Sequence, residues 1–283
     1  MCSILVILYF TQYCSIHFTP CILAQHSSEM GRDYLSAAKH DLAKQSNIQE
    51  VIVNNVGDIL KQIESEIAHV VDTCVRSGEI LETTGDFIKH RVKEHNVARF
   101  YCNWKTHKYQ PTQTEFALAA VRGIVSCSGT PDEHLADYLD FILNPGMKQQ
   151  RSYLKGTKDF LIWVEKLKAQ YPDLPPLFSF LTVDYCAMYP SMPDSLILPA
   201  VRQYLEGRTE QKPSAVRTME LLEITRKNNY FEFGDQIFQQ VGGTSIGKKH
   251  APSLCCLGAG KLEEEKLYPE ECFRKIVLKD KYW

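Results

Sequence analysis

The run Leu177-Phe178-Ser179-Phe180-Leu181-Thr182-Val183-Asp184 is almost continuously apolar and ends on a carboxylate. It follows the breaker Pro172-Asp173-Leu174-Pro175-Pro176 and suits a strand covered on both faces better than a helix. Such a strand needs other layers of structure around it. A chain of 283 residues, 44% hydrophobic and 23% charged, has the length and apolar content to build that core.

The remainder divides by texture. Residues 1–27 carry no charge, and Ile4-Leu5-Val6-Ile7-Leu8-Tyr9-Phe10 is apolar. A signal peptide wants a positive start, which is missing, although Cys21-Ile22-Leu23-Ala24 could pass for a cleavage site; a membrane span would have to accept Thr11, Gln12, Ser15, His17 and Thr19. The expectation is a peripheral extension with no stable membrane association, a targeting or anchoring segment being the alternative. Residues 28–99 repeat apolar positions at three and four, as in Val51, Val53, Val56, Ile59, Leu60, Ile63, Ile67, Val70 and Val71, and predict a helical region with ends or weak points at Gly57 and Gly78.

Residues 100–176 mix short β-prone runs, Phe100-Tyr101-Cys102-Asn103-Trp104 and Ile124-Val125-Ser126-Cys127, with two helices. One opens at Pro131, carries Leu135, Tyr138, Leu139 and Ile142 on a face, and is expected to end at Asn144-Pro145-Gly146; the other spans Asp159 to Tyr171. Residues 177–283 begin with the buried strand and continue with helices from Ser195 to Leu205 and through Leu221-Leu222. Tyr230-Phe231-Glu232-Phe233 then turns at Gly234-Asp235 into Gln236-Ile237-Phe238-Gln239-Gln240, and Ala251-Pro252 opens a further helix. The class is α+β.

Lys and Arg number 32 against 34 Asp and Glu, a net charge of -2, which argues against a nucleic-acid binder working through overall basic charge but leaves local basic surfaces open. Ten cysteines without a C-x-x-C pair predict reduced thiols in an intracellular protein, nuclear or cytoplasmic. The nine histidines do not cluster with them, so a metal here would need carboxylates.

Three groups of residues could carry chemistry. Asp184, at the end of the apolar strand with Tyr189 five residues on, is placed as a Mg²⁺ ligand would be on a rigid element, or as a capping residue. The loop Gln240-Val241-Gly242-Gly243-Thr244-Ser245-Ile246-Gly247-Lys248-Lys249 satisfies G-x-x-x-x-G-K, but Lys249 stands where a P-loop needs Ser or Thr, and the strand ending in Asp lies upstream instead of downstream. The same glycines suit a backbone surface approached closely by a base or sugar. Lys105, Lys108 and Arg122, with Glu115 the only acid between Phe100 and Pro131, could grip a triphosphate or guard a strand edge.

In this order the pieces resemble the reverse transcriptase domain of Penelope-like retroelements. Asn103-Trp104-Lys105-Thr106-His107-Lys108 resembles the family's Leu-Pro-Lys-x-His-Lys, and Arg122-Gly123-Ile124-Val125-Ser126 its Arg-Pro-Ile-Val-Ser. Gly129-Thr130-Pro131, Leu135-Ala136 and Tyr138-Leu139 resemble the segment that follows. Phe180 to Pro193 resembles polymerase motif A, and Tyr230-Phe231-Glu232-Phe233 with Gln240, Gly243, Ile246-Gly247 and Ala251-Pro252 resembles motif B and its lead-in.

The resemblance implies right-hand polymerase fingers over residues 100–176 and a partial palm over 177–283, preceded by helices and without a thumb. It implies that Asp184 is catalytic and holds Mg²⁺, that Tyr189 excludes a ribose 2′-hydroxyl, and that Lys105 and Arg122 hold the deoxynucleoside triphosphate. Gln240 and Gly243 would line the nucleotide, and Lys108, Lys248 and Lys249 would contact the RNA template and DNA primer. The family also has a motif C Asp-Asp, a few residues past a Trp; no Asp-Asp occurs here, and the chain is expected to stop at Trp283 just before it, with Asp280 a poor substitute. Gly123, Ile246 and Cys255-Cys256 replace the family's Pro, Met and Ala-Asn. The expectation is a fragment inactive alone, the alternative a non-catalytic nucleic-acid-binding remnant or the product of a decayed element.

Overall fold

In the computed structural model, which describes residues 7–8, 29–90, 95–105, 121–170, 181–182, 185–266 and 268, the elements run in chain order. They are β1 (Ile7–Leu8), α1 (Glu29–Ala43), β2 (Ile48–Val51), α2 (Val56–Arg76), α3 (Glu82–Ile88), β3 (Ala98–Trp104), β4 (Val121–Ser126) and α4 (Glu133–Lys148). Then come α5 (Thr157–Gln170), β5 (Leu181–Thr182), α6 (Met188–Ser191), α7 (Asp194–Glu206), α8 (Ala215–Lys227), β6 (Tyr230–Phe233), β7 (Gln236–Gln240) and α9 (Ala251–Lys266). The class is α+β, as expected.

Five strands form one mixed sheet in the order β2-β7-β6-β3-β4, with β3 and β6 parallel and the other pairs antiparallel. Its pattern follows from half-covered strands: on β3, Ala98, Phe100 and Cys102 are buried while Arg99 and Asn103 are exposed. Phe231, fully buried on β6, places its ring 5.6 Å from both Phe100 and Phe238. Helix α1 covers this face with Ala37, Ala38 and Leu42; the two small alanines let helix and sheet approach closely, and Leu42 adds apolar cover.

A second core is helical. The three-and-four spacing of α2 brings Ile63, Ile67, Val71 and Cys74 against Leu135, Leu139 and Leu143 of α4, Ile197, Val201 and Leu205 of α7, Leu221 and Leu222 of α8, and Leu254 and Leu257 of α9. The sheet takes strands from each of the three stretches 28–99, 100–176 and 177–283, so those stretches interleave in space.

Two expectations are corrected. Val51 belongs to strand β2 instead of a helix, paired with Ile237 across β7; Asn55 then starts α2, its side chain accepting from the Gly57 N–H at 3.0 Å. Helix α4 runs through Asn144-Pro145-Gly146 to Lys148. Proline removes the N–H that would bond the Phe141 carbonyl, and Phe141 is an exposed position where water can serve that oxygen. The expected strand over Leu177 to Asp184 lies mostly outside the described residues; within it Leu181–Thr182 is a strand, paired in parallel with Ile7–Leu8. Residues near the N-terminus therefore join the fold through main-chain pairing. Among the described residues no helix is long and apolar enough to cross a membrane.

Phe231 and Phe141 provide a matched test of the sheet core. Phe231→Ala is expected to cost about 3–5 kcal/mol in urea unfolding, and Phe141→Ala, 77% exposed, less than about 0.5 kcal/mol.

Candidate functional site

The glycine loop between β7 and α9 is held at both ends. At its start the Gln240 N–H donates to the Asn229 carbonyl at 3.0 Å, the Gln240 Nε2 donates to the Gly242 carbonyl at 2.9 Å, and the Ser245 hydroxyl donates to Gln240 Oε1 at 2.6 Å. Gln240 is buried, so its amide shapes the loop and does not face a ligand.

At the far end the Lys248 ammonium lies buried, 2.6 Å from Asp132 Oδ2 and 2.6 Å from the Thr225 carbonyl, while the Thr130 hydroxyl donates to Asp132 Oδ1 at 2.9 Å. The two charged side chains are only 5% and 7% exposed. Lys248, expected on the nucleic-acid surface, is thereby withdrawn from it. A buried charge in this setting must keep its partner, because an unpaired one carries a desolvation cost of several kcal/mol.

Between these anchors the loop meets the segment after β5. The Thr244 N–H donates to the Tyr189 carbonyl at 2.8 Å. Gly243 adopts φ +68°, and a Cβ there would collide with the Pro190 carbonyl oxygen, so both conformation and closeness demand glycine. Tyr189 itself is half-buried and packs on the helical core. The loop then passes the outer edge of β4, where the Val125 N–H donates to the Ile246 carbonyl at 2.7 Å and so caps an edge strand.

Arg122 lies on β4 three residues before Val125, opposite Asn103 and partly exposed. Lys105 follows β3 directly, partly exposed, and its charge acts on Asp41 of α1. Burial pushes the Asp41 carboxyl up and Lys105 opposes that shift. Gly123 faces the same spot: a Cβ there would stand 2.7 Å from the Phe100 ring and 2.9 Å from Asp41 Oδ2. Lys249 is exposed beside the loop. Tyr189, Gln240 and Gly243 are therefore brought together, with Arg122 on the adjoining strand. Asp184 and Lys108 lie outside the described residues.

Several residues of this region carried no sequence signal. Asp132 reads as an ordinary residue ahead of a helix, and Asn47 as a turn residue between helix and strand. His250 is fully buried, with Nε2 3.3 Å from a Thr225 hydroxyl that already donates to the Leu222 carbonyl at 2.8 Å. The Nε2 must therefore carry the proton, and Nδ1 is left bare. Burial, aided by the neighbouring Lys248 charge, pushes this imidazole down to about 3. Burial likewise pushes the Cys127 and Cys255 thiols up to about 12, which makes them unreactive packing groups. The six described cysteines are free thiols.

Among the described residues no three acidic, histidine or cysteine side chains gather as a metal site. Comparison with known proteins found no matching family model, no matching curated protein and no matching solved structure.

Two outcomes are expected. Lys248→Ala and Asp132→Ala should each lose about 3–5 kcal/mol in urea unfolding, and the double change Lys248→Met with Asp132→Leu should lose less than either, because no orphan charge remains. His250 stays neutral in the fold and takes up a proton on unfolding once the pH drops below about 6.5. Its contribution is complete above that pH and is lost progressively on acidification toward 3, at about 1.4 kcal/mol per pH unit. Replacing His250 with Leu should remove one proton's worth of slope from stability curves measured between pH 6.5 and 5.

Proposed function

We propose that the chain is part of an RNA-directed DNA polymerase of the Penelope-like reverse transcriptase kind, and that the described residues form the side of its site that holds the incoming deoxynucleoside triphosphate. The contact between Tyr189 and the glycine loop, 2.8 Å from Thr244 N to the Tyr189 oxygen, is the observation that carries this. In the resemblance these two segments are the ribose gate and the nucleotide-lining loop, which have to meet over a single nucleotide. An aromatic residue whose main chain joins a bare glycine loop suits that role, because in the resemblance its ring takes the space of a 2′-hydroxyl and the backbone admits a sugar or base closely.

Arg122 would grip the triphosphate through its planar fork, and Lys105 would add a point charge that Asp41 partly offsets. Lys249, exposed, would meet the phosphates of the RNA template and DNA primer. Gln240 acts by shaping the Gly242–Gly243 turn. Mg²⁺ belongs to the same assignment, with Asp184 as its carboxylate; Asp184 lies outside the described residues and no cluster among them completes a metal site, so no metal-dependent step follows from these side chains. Such an enzyme would work in the nucleus or cytoplasm.

The test is binding of a labelled RNA–DNA primer–template to the purified chain across a salt series. The expected result is an affinity that falls steeply with salt, with Lys249→Ala lowering the slope of log K against log salt by about 1. Absent or salt-insensitive binding overturns the assignment. Without an Asp-Asp pair these 283 residues are expected to give no primer extension. A Mg²⁺-dependent extension abolished by Asp184→Asn would show that expectation wrong.

A further inference from the structure

We propose that Asn47 is a positioning residue for Tyr189 and the glycine loop: its side-chain amide joins the Pro190 and Gly242 carbonyls and so sets the spacing between the gate and the nucleotide-lining backbone. The nucleotide part of this inference rests on the polymerase assignment above; the clamp itself rests on geometry alone.

Asn47 sits in the turn between α1 and β2, far in sequence from both partners. Its Nδ2 donates to the Gly242 carbonyl at 2.6 Å and to the Pro190 carbonyl at 3.1 Å, so both amide protons are engaged. Its own carbonyl accepts the Val241 N–H at 2.8 Å. Both side-chain contacts end on carbonyl oxygens, which fixes the amide with nitrogen toward the loop. The Gly242 oxygen also accepts the Gln240 Nε2 at 2.9 Å, so both of its lone pairs are used.

Two carbonyl oxygens converging on one point repel unless a donor lies between them, and Asn47 supplies that donor. The Pro190 oxygen is also the atom that a Cβ on Gly243 would strike. The approach of Gly243 to Pro190 and the orientation of the Asn47 amide are therefore one constraint, and Tyr189, whose carbonyl holds Thr244, stands next to it. Alanine would remove the donor. Aspartate, of nearly the same size, would set a carboxylate against two carbonyls and do more damage.

The experiment compares the full chain with Asn47→Ala and Asn47→Asp by amide hydrogen exchange and by binding of a deoxynucleoside and a ribonucleoside triphosphate in the presence of primer–template. Amides of the 241–245 loop, Thr244 above all, are expected to exchange roughly tenfold faster in Asn47→Ala and faster still in Asn47→Asp, with those of α4 and α8 changing less than about twofold. The preference for the deoxy form should narrow by about tenfold in Asn47→Ala. Uniform acceleration throughout the chain, an unchanged loop, or wild-type exchange in Asn47→Asp overturns the clamp. A selectively loosened loop with an unchanged deoxy preference overturns the role in nucleotide selection. A loosened loop in a chain whose wild type binds neither triphosphate overturns the polymerase assignment while the clamp stands. If Asn47→Ala does not fold, Asn47→Ser takes its place: its hydroxyl can serve only one carbonyl, so its loop exchange should lie between wild type and Asn47→Asp.

Discussion

The buried pair between Lys248 and Asp132 fixes the rest of this molecule. It sits where the sheet and the helical core meet: Asp132 lies between β4 and α4, Lys248 lies between the loop and α9, and the Thr225 carbonyl that completes the ammonium shell belongs to α8. Taking two charges out of water is unfavourable in itself, and the pair survives because each partner also has a neutral one, Thr130 for the carboxylate and Thr225 for the ammonium. Such a pair tolerates one geometry. It fixes the far end of the glycine loop as firmly as β7 fixes its start.

A loop pinned at both ends can only bow. Its bow points at residues 189 and 190, and the hydrogen bonds that hold it there come from main chain or from an amide: Thr244 N–H to Tyr189 O, Asn47 Nδ2 to Pro190 O and Gly242 O. These hydrogen bonds do not use the Tyr189 side chain, which packs instead on the helical core.

Much of this architecture is legible in the sequence, for local reasons. The alternation of Phe100 and Cys102 against Arg99 and Asn103, the Gly234-Asp235 turn and the three-and-four spacing from Ile59 to Val71 are properties of neighbouring residues, and the corresponding elements form where expected. What fails to show is non-local. Val51 fits a helical spacing, yet a partner in β7 claims it; a four-residue strand carries too few positions to declare its own period. Asn144-Pro145-Gly146 looks like a stop, yet α4 continues because Gly146 leaves room for the Tyr204 ring and the Tyr204 hydroxyl donates to the Ile142 carbonyl at 3.1 Å. Lys248 and Lys249 are adjacent identical residues, and only a carboxylate from a distant turn decides that one is buried and the other is not.

Two kinds of cation are thereby distinguished in this chain. A cation whose partner is internal, such as Lys248, is part of the fold, and its loss acts through stability. A cation at the surface, such as Lys249, is exposed to water, although its charge also acts on Asp140 of α4; contact with phosphate replaces that water and releases bound counterions from a nucleic acid. Lys105 is only partly exposed, and Asp41 attracts it from a site where burial weakens the carboxylate's ionisation. A triphosphate arriving there would compete with Asp41 for the ammonium, and release of Lys105 would let Asp41 take up a proton more readily. Anion binding at Lys105 is thus coupled to protonation of Asp41, so acidification should assist binding through Lys105; Asp140, whose carboxyl burial pushes up and the Lys249 charge pulls down, couples binding through Lys249 in the same sense.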